Sequence, residues 1–316
     1  MMQEKSDSEA ARMTNKNDDL IVRTERLTKK FGNLVAVNDL NLEIHRGEIF
    51  GFLGPNGSGK TTTIGMLLGL IRPSSGRVEV FGQDISENPD AILPRIGVVM
   101  ERPGLYPYLS GRDNLSVLAR ITGGVDHQRI EEVLDLVGLA SRAKDKFQIY
   151  SQGMKQRLSI AAALLNDPEF IILDEPTNGL DPAGMKEVRE LIKSLGKQGK
   201  TIFLSSHLLH EVEQVCDHLA VVKQGKVMAQ GEASQLLRRG GALELKVTDI
   251  EKAVAILKSV EWISSVTRED DTIQVDVPLE RTSEISALLA RNNVFISEMK
   301  AKESTLEKFF LEVTEG

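Results

Sequence analysis

The chain contains the sequence Gly54-Pro55-Asn56-Gly57-Ser58-Gly59-Lys60-Thr61-Thr62, which fits the pattern G-x-x-x-x-G-K-[ST]. Glycines let successive backbone N–H groups turn toward an anion, because a Cβ atom would block its approach. An apolar run, Glu48–Leu53, precedes this loop and a helical pattern follows it, so a helix N-terminus adds its positive dipole end. We therefore predict a nucleoside triphosphate site, where Lys60 reaches the β- and γ-phosphates and Thr61 binds Mg²⁺. A glycine-rich turn that binds nothing is disfavoured, because the flanking strand and helix are both predicted.

Composition is typical of a globular protein. Of the 316 residues, 41% are hydrophobic and 27% are charged, and 39 basic against 46 acidic side chains give a net charge of −7. An acidic balance does not favour nucleic-acid binding, which needs a basic patch. The single cysteine, Cys216, excludes an intrachain disulfide and suits a reducing cytosol. No apolar run approaches the ~20 residues of a membrane-spanning helix, so we expect any membrane work to be done through a partner.

The N-terminal third predicts a tail and then a β layer. The first 19 residues are polar and of mixed charge, which favours a disordered tail. Three β-rich segments, Leu20–Leu27, Leu34–Val37 and Leu40–Ile44, are separated by turn residues and predict an antiparallel layer ahead of the phosphate loop. Phe31 lies among them, where its flat ring could stack on an adenine base. A phenylalanine alone is more often part of a core, so this role depends on the rest of the site.

Helical patterns dominate the middle of the chain, after an apolar strand that ends at Glu101. Ser110 is a good N-cap for the first helix, and Asp126–Val137 forms the second. Tyr150-Ser151-Gln152-Gly153-Met154 then opens a third helix, in which Ser151 is the N-cap and Gly153 permits close backbone approach. Taken alone, this is a capped surface helix. We predict an inserted helical subdomain over about residues 102–165.

Two acids, Asp174 and Glu175, follow the buried apolar run Phe170–Leu173. Parallel strands deliver such residues to the sheet edge where ligands bind. We expect Asp174 to hold Mg²⁺, and Glu175 to lie beside the γ-phosphate and polarise the attacking water. A strand end held by salt bridges is the alternative interpretation.

The next helix and strand supply two further candidates. Asp181 can cap the helix that follows the turn Asn178–Pro182. The strand Lys200–Leu204 then delivers His207 to the same sheet edge as Asp174. Such a histidine is usually structural, but here it could contact a γ-phosphate.

As a set, these motifs resemble the ATPase subunit of an ATP-binding cassette (ABC) transporter, over about residues 20–231. Five motifs occur in the family's order: the phosphate loop, the helix start at Ser151, the Asp174-Glu175 strand, the Gly179-Leu180-Asp181-Pro182 turn and His207. The resemblance implies a head-to-tail pair of cassettes with two ATP molecules in the interface. Each ATP would lie between one subunit's phosphate loop and the other's signature segment, Ser151–Met154. Asp181 would join the two sites, and ATP binding and hydrolysis would close and open the pair.

Three departures from the family pattern narrow the resemblance. Glu101 stands where the family usually has Gln, which keeps a possible Mg²⁺ ligand but adds negative charge near the phosphates. The signature reads Tyr-Ser-Gln-Gly-Met in place of Leu-Ser-Gly-Gly-Gln, and Phe31 replaces the more common Tyr. Glu101 followed by Arg-Pro-Gly-Leu-Tyr-Pro-Tyr-Leu-Ser, together with the signature Tyr-Ser-x-Gly-Met-Lys-Gln-Arg, resembles the subgroup that exports peptide antibiotics of the bacitracin and lantibiotic kinds.

Beyond Gly231 the pattern predicts β-α-β-β-α-β with an added last helix over Thr305–Val313. This small α/β module has no catalytic constellation, and a regulatory or dimer-supporting role for it is a hypothesis. We therefore predict a tail (1–19), a cassette domain (20–232) and an accessory domain (233–316). The predicted fold class is α/β, a phosphate-loop NTPase core with an antiparallel β layer, an inserted helical subdomain and the C-terminal α/β module.

Our main hypothesis is a transporter ATPase that uses ATP and Mg²⁺ at the cytoplasmic face of the cell membrane. Its expected partners are integral membrane permease subunits and a second copy of itself, with no nucleic acid. The alternative is a soluble cassette ATPase acting on ribosomes or DNA, a class that commonly has paired cassettes, coiled-coil insertions or basic arms. This chain has one phosphate loop, no sustained heptads and an acidic balance. A silent cassette used as a binding module is disfavoured by the retained Lys60, Asp174, Glu175 and His207.

Overall fold

The computed structural model describes residues 19–101, 104–238, 242–260, 262–263, 265–269, 271–277 and 281–302. The chain divides into two compact units, residues 1–230 and 231–316. The predicted tail, apart from Asp19, and the predicted last helix lie outside the described residues.

The first unit contains two sheets. In chain order its strands are β1 (Leu20–Phe31), β2 (Leu34–His45), β3 (Ile49–Leu53), β4 (Ser75–Val80), β5 (Gln83–Asp84), β6 (Ile96–Val99), β7 (Phe170–Asp174), β8 (Thr201–Ser206), β9 (His218–Lys223) and β10 (Lys226–Glu232). The antiparallel sheet has the order β2-β1-β4-β5, and the six-stranded sheet has the order β10-β9-β3-β8-β7-β6. Strands β9, β3, β8, β7 and β6 are parallel to their neighbours within that group. Their carboxyl ends therefore share one edge.

One hydrophobic core joins the two sheets of the first unit. Phe203 of β8 lies 6.1 Å from the ring of Phe50 and 5.4 Å from that of Phe52, both on β3. Every residue of β3, β7 and β8 is buried, as expected for central strands covered on both faces. This rigid centre carries the residues of the candidate site at its ends.

The prediction of separate strands over Leu34–Val37 and Leu40–Ile44 was wrong, because both segments belong to β2. The intervening Asp39 adopts a left-handed conformation (φ 55°), and the pairing with β1 shifts register there. The Asp39 N–H donates to Thr28 Oγ1 at 3.0 Å. The bulge removes the Asp39 N–H from the pattern of hydrogen bonds between the strands, and the Thr28 side chain accepts it instead. The strand therefore continues through Asn38 and Asp39, although both residues are typical of turns.

The helices of the first unit are α1 (Lys60–Leu67), α2 (Pro89–Ile92), α3 (Gly111–Ile121), α4 (His127–Leu136), α5 (Gln152–Ala163), α6 (Pro182–Lys197) and α7 (Leu209–Val215). Three of them, α3, α4 and α5, lie between β6 and β7 in the chain and pack on one another. The Ser110 side chain accepts a hydrogen bond from the Asp113 N–H, which confirms the predicted N-cap of α3. Across the described residues, no helix combines the length and apolar character needed to cross a membrane.

The second unit contains α8 (Ala233–Arg238), β11 (Ala242–Val247), α9 (Ile250–Lys258), β12 (Ser265–Glu269), β13 (Thr272–Asp276), α10 (Thr282–Arg291) and β14 (Ile296–Lys302). Its antiparallel sheet has the order β12-β13-β11-β14, and the apolar residues of α9 and α10 share its core. The order β-α-β-β-α-β from β11 to β14 confirms the predicted module. The sequence predicts that the last strand begins at Val294, but β14 begins two residues later, at Ile296. Val294 is buried and lies outside the strand.

Cys216 lies at the end of α7, buried against β3. A Cβ atom added to Gly51 would lie 2.9 Å from its Sγ atom. Burial raises the pKa of this thiol well above its usual range, because a thiolate would lose its hydration.

Candidate functional site

The phosphate loop connects β3 to α1 and is shaped by its glycines. Gly57 and Gly59 have φ values of 80° and 104°. A Cβ atom on Gly59 would lie 2.4 Å from the Ala36 carbonyl oxygen, and one on Gly54 would lie 2.4 Å from the Val222 carbonyl oxygen. Only glycine fits these positions, so the sequence pattern is a packing requirement as well as a binding one.

The N-terminus of α1 is open to an anion. Gly59 caps the helix without a side-chain hydrogen bond, and no acidic residue lies in the first turn. Ser58, directly before it, has a buried hydroxyl oxygen with no hydrogen-bond partner within the part of the chain that is described. Unpaired backbone donors and an orphaned hydroxyl at a helix N-terminus are the groups that a phosphate would satisfy.

Lys60 is buried and bonded within its own loop. Its Nζ atom donates to the carbonyl oxygen of Gly54 at 2.7 Å and to that of Pro55 at 3.3 Å. It also lies 3.2 Å from Glu175 Oε1, in an ion pair whose side chains are 7% and 11% exposed. Among the described residues, Glu175 Oε1 forms this ion pair with Lys60 but has no hydrogen-bond partner. The cation that would meet a triphosphate is therefore held by an acid across the cavity.

Glu175 follows β7 in a left-handed conformation, with φ 50°. Its N–H donates to Ser205 Oγ at 3.0 Å, and its Oε2 atom lies 2.8 Å from His207 Nδ1. A non-glycine residue in this region is strained, and such strain persists where the surroundings hold it. The arrangement aims the carboxylate at Lys60 and His207 together.

Asp174 is the last residue of β7 and is only 2% exposed. Ser205 Oγ donates to its Oδ1 atom at 2.6 Å, and Thr61 Oγ1 lies 3.4 Å from Oδ2. Burial raises the pKa of Asp174, and the nearby negative charges of Glu175 and Glu101 raise it further. A cation between Thr61 and Asp174 would relieve this unfavourable electrostatic environment.

Glu101 lies two residues beyond β6, on the strand next to β7. Its Oε1 atom accepts a hydrogen bond of 3.1 Å from Asn178 Nδ2. The two loops that leave β6 and β7 are thereby joined across the mouth of the site.

Several of these groups line one cavity of about 900 Å³, whereas Gly54, Ser58, Asp174 and Ser205 lie behind its lining. Its lining residues are Phe31, Leu34, Val35, Ala36, Asn56, Gly57, Gly59, Lys60, Thr61, Thr62, Glu101, Glu175, Asn178, His207 and Gln224. The exposed ring of Phe31 and three apolar residues of β2 give the cavity an apolar wall. The phosphate loop adjoins this wall at Gly59 and Ala36 and, with the acids, makes the rest of the lining polar. An apolar wall for a base and a polar cradle for phosphates suit a nucleotide.

The signature segment is elsewhere: none of Ser151, Gln152, Gly153 and Met154 lines this cavity, within the described residues. Ser151 caps α5, accepting a hydrogen bond from Met154 N–H at 3.2 Å. Asp181 caps α6, accepting one from Gly184 N–H at 3.0 Å. The starts of α5 and α6 meet at Gly153 and Gly184, where a Cβ atom on Gly153 would lie 3.5 Å from the Gly184 Cα atom. Ser151 and Asp181 therefore occupy neighbouring helix N-termini, outside the cavity.

Sequence reasoning missed three contributors to the site. Ser205 orients both acids, yet a serine before a histidine at a strand end carries no distinctive signal. Asn178 was interpreted only as a turn residue. Gln224 lies in the turn between β9 and β10, where the Gly225 N–H donates to the Ser58 carbonyl oxygen at 3.0 Å. That hydrogen bond joins positions 167 residues apart, which no local pattern reveals.

Comparison with known proteins agrees with this geometry. The family model described as "ABC transporter" matches residues 37–178. The bacitracin transport ATP-binding protein BcrA of Bacillus licheniformis is 43% identical over 299 residues, covering 94% of this chain and 98% of that protein. The solved structure of cbiO1 from Clostridium perfringens, part of the ABC transporter complex cbiONQ, aligns with a TM-score of 0.64 at 30% identity, over 69% of this chain and 90% of that one. A dimeric structure of the ATP-binding cassette MJ0796 bound to ADP and Pi aligns with a TM-score of 0.60 at 27% identity, over 67% of this chain and 99% of that one.

The fold and the cavity define an ATP-binding cassette with a phosphate-loop NTPase core, which confirms the predicted fold class. The chain belongs to the ABC transporter ATP-binding proteins. It is an ATP-binding subunit that couples ATP hydrolysis to transport, and the transport hypothesis is confirmed over the ribosome or DNA alternative.

Proposed function

We propose that two copies of this chain bind two Mg·ATP in a head-to-tail dimer at the cytoplasmic face of the membrane. There they power export of a peptide antibiotic through permease subunits. The observation that carries the nucleotide part is the convergence of Lys60, Glu175 and His207 on one cavity beside an uncapped helix N-terminus. The name of BcrA, a bacitracin transport protein matched over nearly its whole length, supports the substrate class.

The residues present fit both ATP and Mg²⁺. The orphaned Ser58 hydroxyl, the open N-terminus of α1 and Lys60 suit a triphosphate. No group of three or more His, Cys, Asp or Glu side chains able to hold a metal occurs among the described residues. Mg²⁺ in nucleotide sites is usually bound by one or two carboxylates together with phosphate oxygens and water. Asp174 and Glu101 would supply the carboxylates and Thr61 a hydroxyl, and the ion would neutralise charge on the phosphates.

In the proposed reaction, the Lys60–Glu175 ion pair opens as a triphosphate enters and takes over the lysine. Glu175 is then free to accept a proton from the attacking water. The Nδ1–H of His207 donates to the Glu175 carboxylate at 2.8 Å, so it orients that side chain, and the ring lines the cavity where it could contact the γ-phosphate. The backbone donors of the phosphate loop would hold the β-phosphate with little rearrangement, because Gly54 and Gly59 are packed against the carbonyl oxygens of Val222 and Ala36.

A second copy would complete the site. Among the described residues, the signature segment Ser151–Met154 does not line its own cavity, so we assign it to the γ-phosphate of a partner copy. Asp181 lies beside them through the Gly153–Gly184 contact and would connect the two sites. The dimeric MJ0796 cassette, which aligns over 99% of its length, supports this pairing.

A shallow apolar groove supports the permease contact. It is lined by Val98, Val99, Met100, Gly104, Leu105, Leu118, Ser159 and Ala162. The nearby side chains of Tyr106 and Tyr108 are exposed. Because this groove lies between β6 and the inserted helices and adjoins Glu101, a permease segment bound there would respond to nucleotide.

The first test is Glu175→Gln in the full-length chain. We expect ATP hydrolysis to fall at least about 100-fold, because the general base is lost. ATP binding should persist, and size-exclusion chromatography with ATP should show a dimer. Affinity purification of this variant from detergent-solubilised membranes should recover a multi-span protein in stoichiometric amount, identified by mass spectrometry.

One control variant and three contradicting outcomes complete that experiment. Lys60→Ala should remove ATP binding and with it the dimer. Wild-type hydrolysis by Glu175→Gln would overturn the assignment of the base. Recovery only with ribosomal or DNA-binding proteins would overturn the permease partner, and unchanged bacitracin sensitivity of cells that express the chain with its permease would overturn the substrate class.

A further inference from the structure

Asn178 occupies a defined place at the mouth of the cavity. Its backbone N–H donates to the Glu175 carbonyl oxygen at 3.1 Å, which closes the turn directly after the two acids. Gly179 follows with φ 72°, so the chain can leave this turn at once. The turn therefore fixes where the Asn178 side chain begins.

That side chain reaches the neighbouring loop. Strands β6 and β7 are parallel and paired, with Val99 opposite Leu173, so the loops after them leave the same edge. Asn178 Nδ2 donates to Glu101 Oε1 at 3.1 Å, and both side chains line the cavity. Among the described residues, this is the one hydrogen bond that the Glu101 carboxylate accepts.

The position of Glu101 matters because its carboxylate lines the cavity together with Thr61 and Glu175, and because it is one of the ligands proposed for Mg²⁺. An exposed glutamate has several rotamers, and only some of them point into the cavity. An amide donor fixed on an adjacent turn selects among those rotamers.

We propose that Asn178 is a positioning residue for ATP hydrolysis: its side-chain amide holds the carboxylate of Glu101 in the nucleotide cavity. The proposal rests on the proposed placement of ATP in this cavity. Asn178 acts through Glu101 and does not itself touch the reacting atoms. Asn178 links the turn after β7 to the loop after β6. That loop adjoins the groove proposed for the permease.

The test exchanges donor and acceptor across this hydrogen bond in the full-length chain. Asn178→Asp places two carboxylates against each other, so Glu101 should turn away. We expect kcat to fall at least about tenfold, since a displacement of about 1 Å at a reacting site can cost up to 100-fold. The KM for ATP and the affinity for a non-hydrolysable ATP analogue, measured by calorimetry, should stay within about twofold. In the double variant Glu101→Gln/Asn178→Asp the introduced amide donates to the introduced carboxylate, so a hydrogen bond is restored and kcat should return close to that of Glu101→Gln alone.

Matched controls separate positioning from charge and from folding. Asn88→Asp adds the same charge at an exposed asparagine outside the cavity and should leave kcat unchanged. Thermal unfolding should give similar midpoints for all variants. Wild-type kcat for Asn178→Asp, or a double variant no better than the product of the two single effects, would overturn the proposal. Lys60→Ala is run alongside: if it keeps ATP affinity, ATP is not bound in this cavity and the proposed function falls too, whereas loss of binding there with no effect of Asn178→Asp overturns the positioning role alone.

Discussion

Phe31 is the side chain that an adenine base would meet first. It ends β1 with half of its ring exposed (49%), and Lys29 Nζ lies 4.9 Å from the ring centroid. A large aromatic left in solvent at the rim of a cavity lacks a packing explanation, and stacking on a base would supply one. The ring adjoins the apolar wall from β2, so the base would contact carbon on two sides.

Replacing Phe31 with Ala should raise the KM for ATP about tenfold or more, because an aromatic–base stack contributes about 1–3 kcal/mol. Phe31→Tyr keeps the stacking face and should change KM less than about twofold. The control is Phe295→Ala, which removes an exposed ring from the second unit. Steady-state kinetics with ATP check the prediction, and an unchanged KM for Phe31→Ala would place the base elsewhere.

For single residues, the sequence predicts the chemical role of a side chain better than it predicts which residues that side chain contacts. Lys60, Asp174 and Glu175 stand in patterns whose physical demands are narrow; the structure brings Lys60 and Glu175 to one cavity and places Asp174 beside the lining residue Thr61. The contact of Asn178 with Glu101 spans 77 residues and depends on which strands are neighbours. No local pattern contains that information, so Asn178 could be interpreted only as part of a turn.

Among the elements, an ion-pair network joins the starts of two strands to the loop after β2. Glu169, before β7, lies 2.8 Å from Arg46 Nη1 and 2.7 Å from Arg95 Nε. The hydrogen bonds from Arg95 and Arg46 lower the pKa of Glu169 to about 2. A carboxyl with a lowered pKa stabilises the fold above its usual value of 4.5, and this stabilisation is lost as the pH falls toward about 2.

Glu169→Gln should therefore lower the melting temperature at pH 7 and have progressively less effect below pH 4.5. Because the carboxylate is more than one third exposed, solvent screening limits the expected loss to about 1 kcal/mol. Glu190→Gln, which alters an exposed pair with Lys193 on α6, is the control and should change little. Calorimetry across this pH range checks the prediction. A loss that is the same at pH 7 and near pH 2 would contradict the ionic explanation.

Helices α6 and α7 are joined by a buried ion pair. Arg189 Nη1 lies 2.6 Å from Glu211 Oε1, and the two side chains are 16% and 7% exposed. The other carboxylate oxygen of Glu211 has no hydrogen-bond partner among the described residues. The pair connects the helix that Asp181 caps to the helix that follows His207.

Arg189→Ala should lower the free energy of unfolding by about 3–5 kcal/mol, since it leaves a buried carboxylate uncompensated. Lys193→Ala, one turn along the same helix, removes an exposed pair and should cost less than about 1 kcal/mol. Urea unfolding of the full chain measures both. Equal effects of the two variants would show that burial does not control the strength of the Arg189 pair.

Element boundaries show where pattern reasoning fails. The alternation of buried and exposed residues predicts β1 and most of β2, yet Asn38 and Asp39 indicate a turn that does not occur. The decisive contact is the hydrogen bond from the Asp39 N–H to Thr28 on the paired strand. Residues such as Asn and Asp occur both in turns and in bulges, so the pairing with the neighbouring strand determines whether they end a strand or form a bulge.

In the whole molecule, the two units have different relationships to known proteins. The cassette structures align over 67% to 69% of this chain, whereas BcrA matches 94% of it, which necessarily includes much of the second unit. The predicted module order is confirmed there because its helices and strands alternate cleanly. Its purpose and the head-to-tail pairing of cassettes depend on surfaces of other copies and other chains, which a single sequence does not contain.

The buried thiol of Cys216 has a practical consequence for site-specific labelling of this protein. It is the only cysteine of the chain, and its enclosure and raised pKa protect it from maleimides at neutral pH. A cysteine introduced at an exposed position would therefore carry a fluorophore or spin label alone, with the native residue left in place. Paired labels on two copies would then report the opening and closing of the cassettes in real time, during turnover.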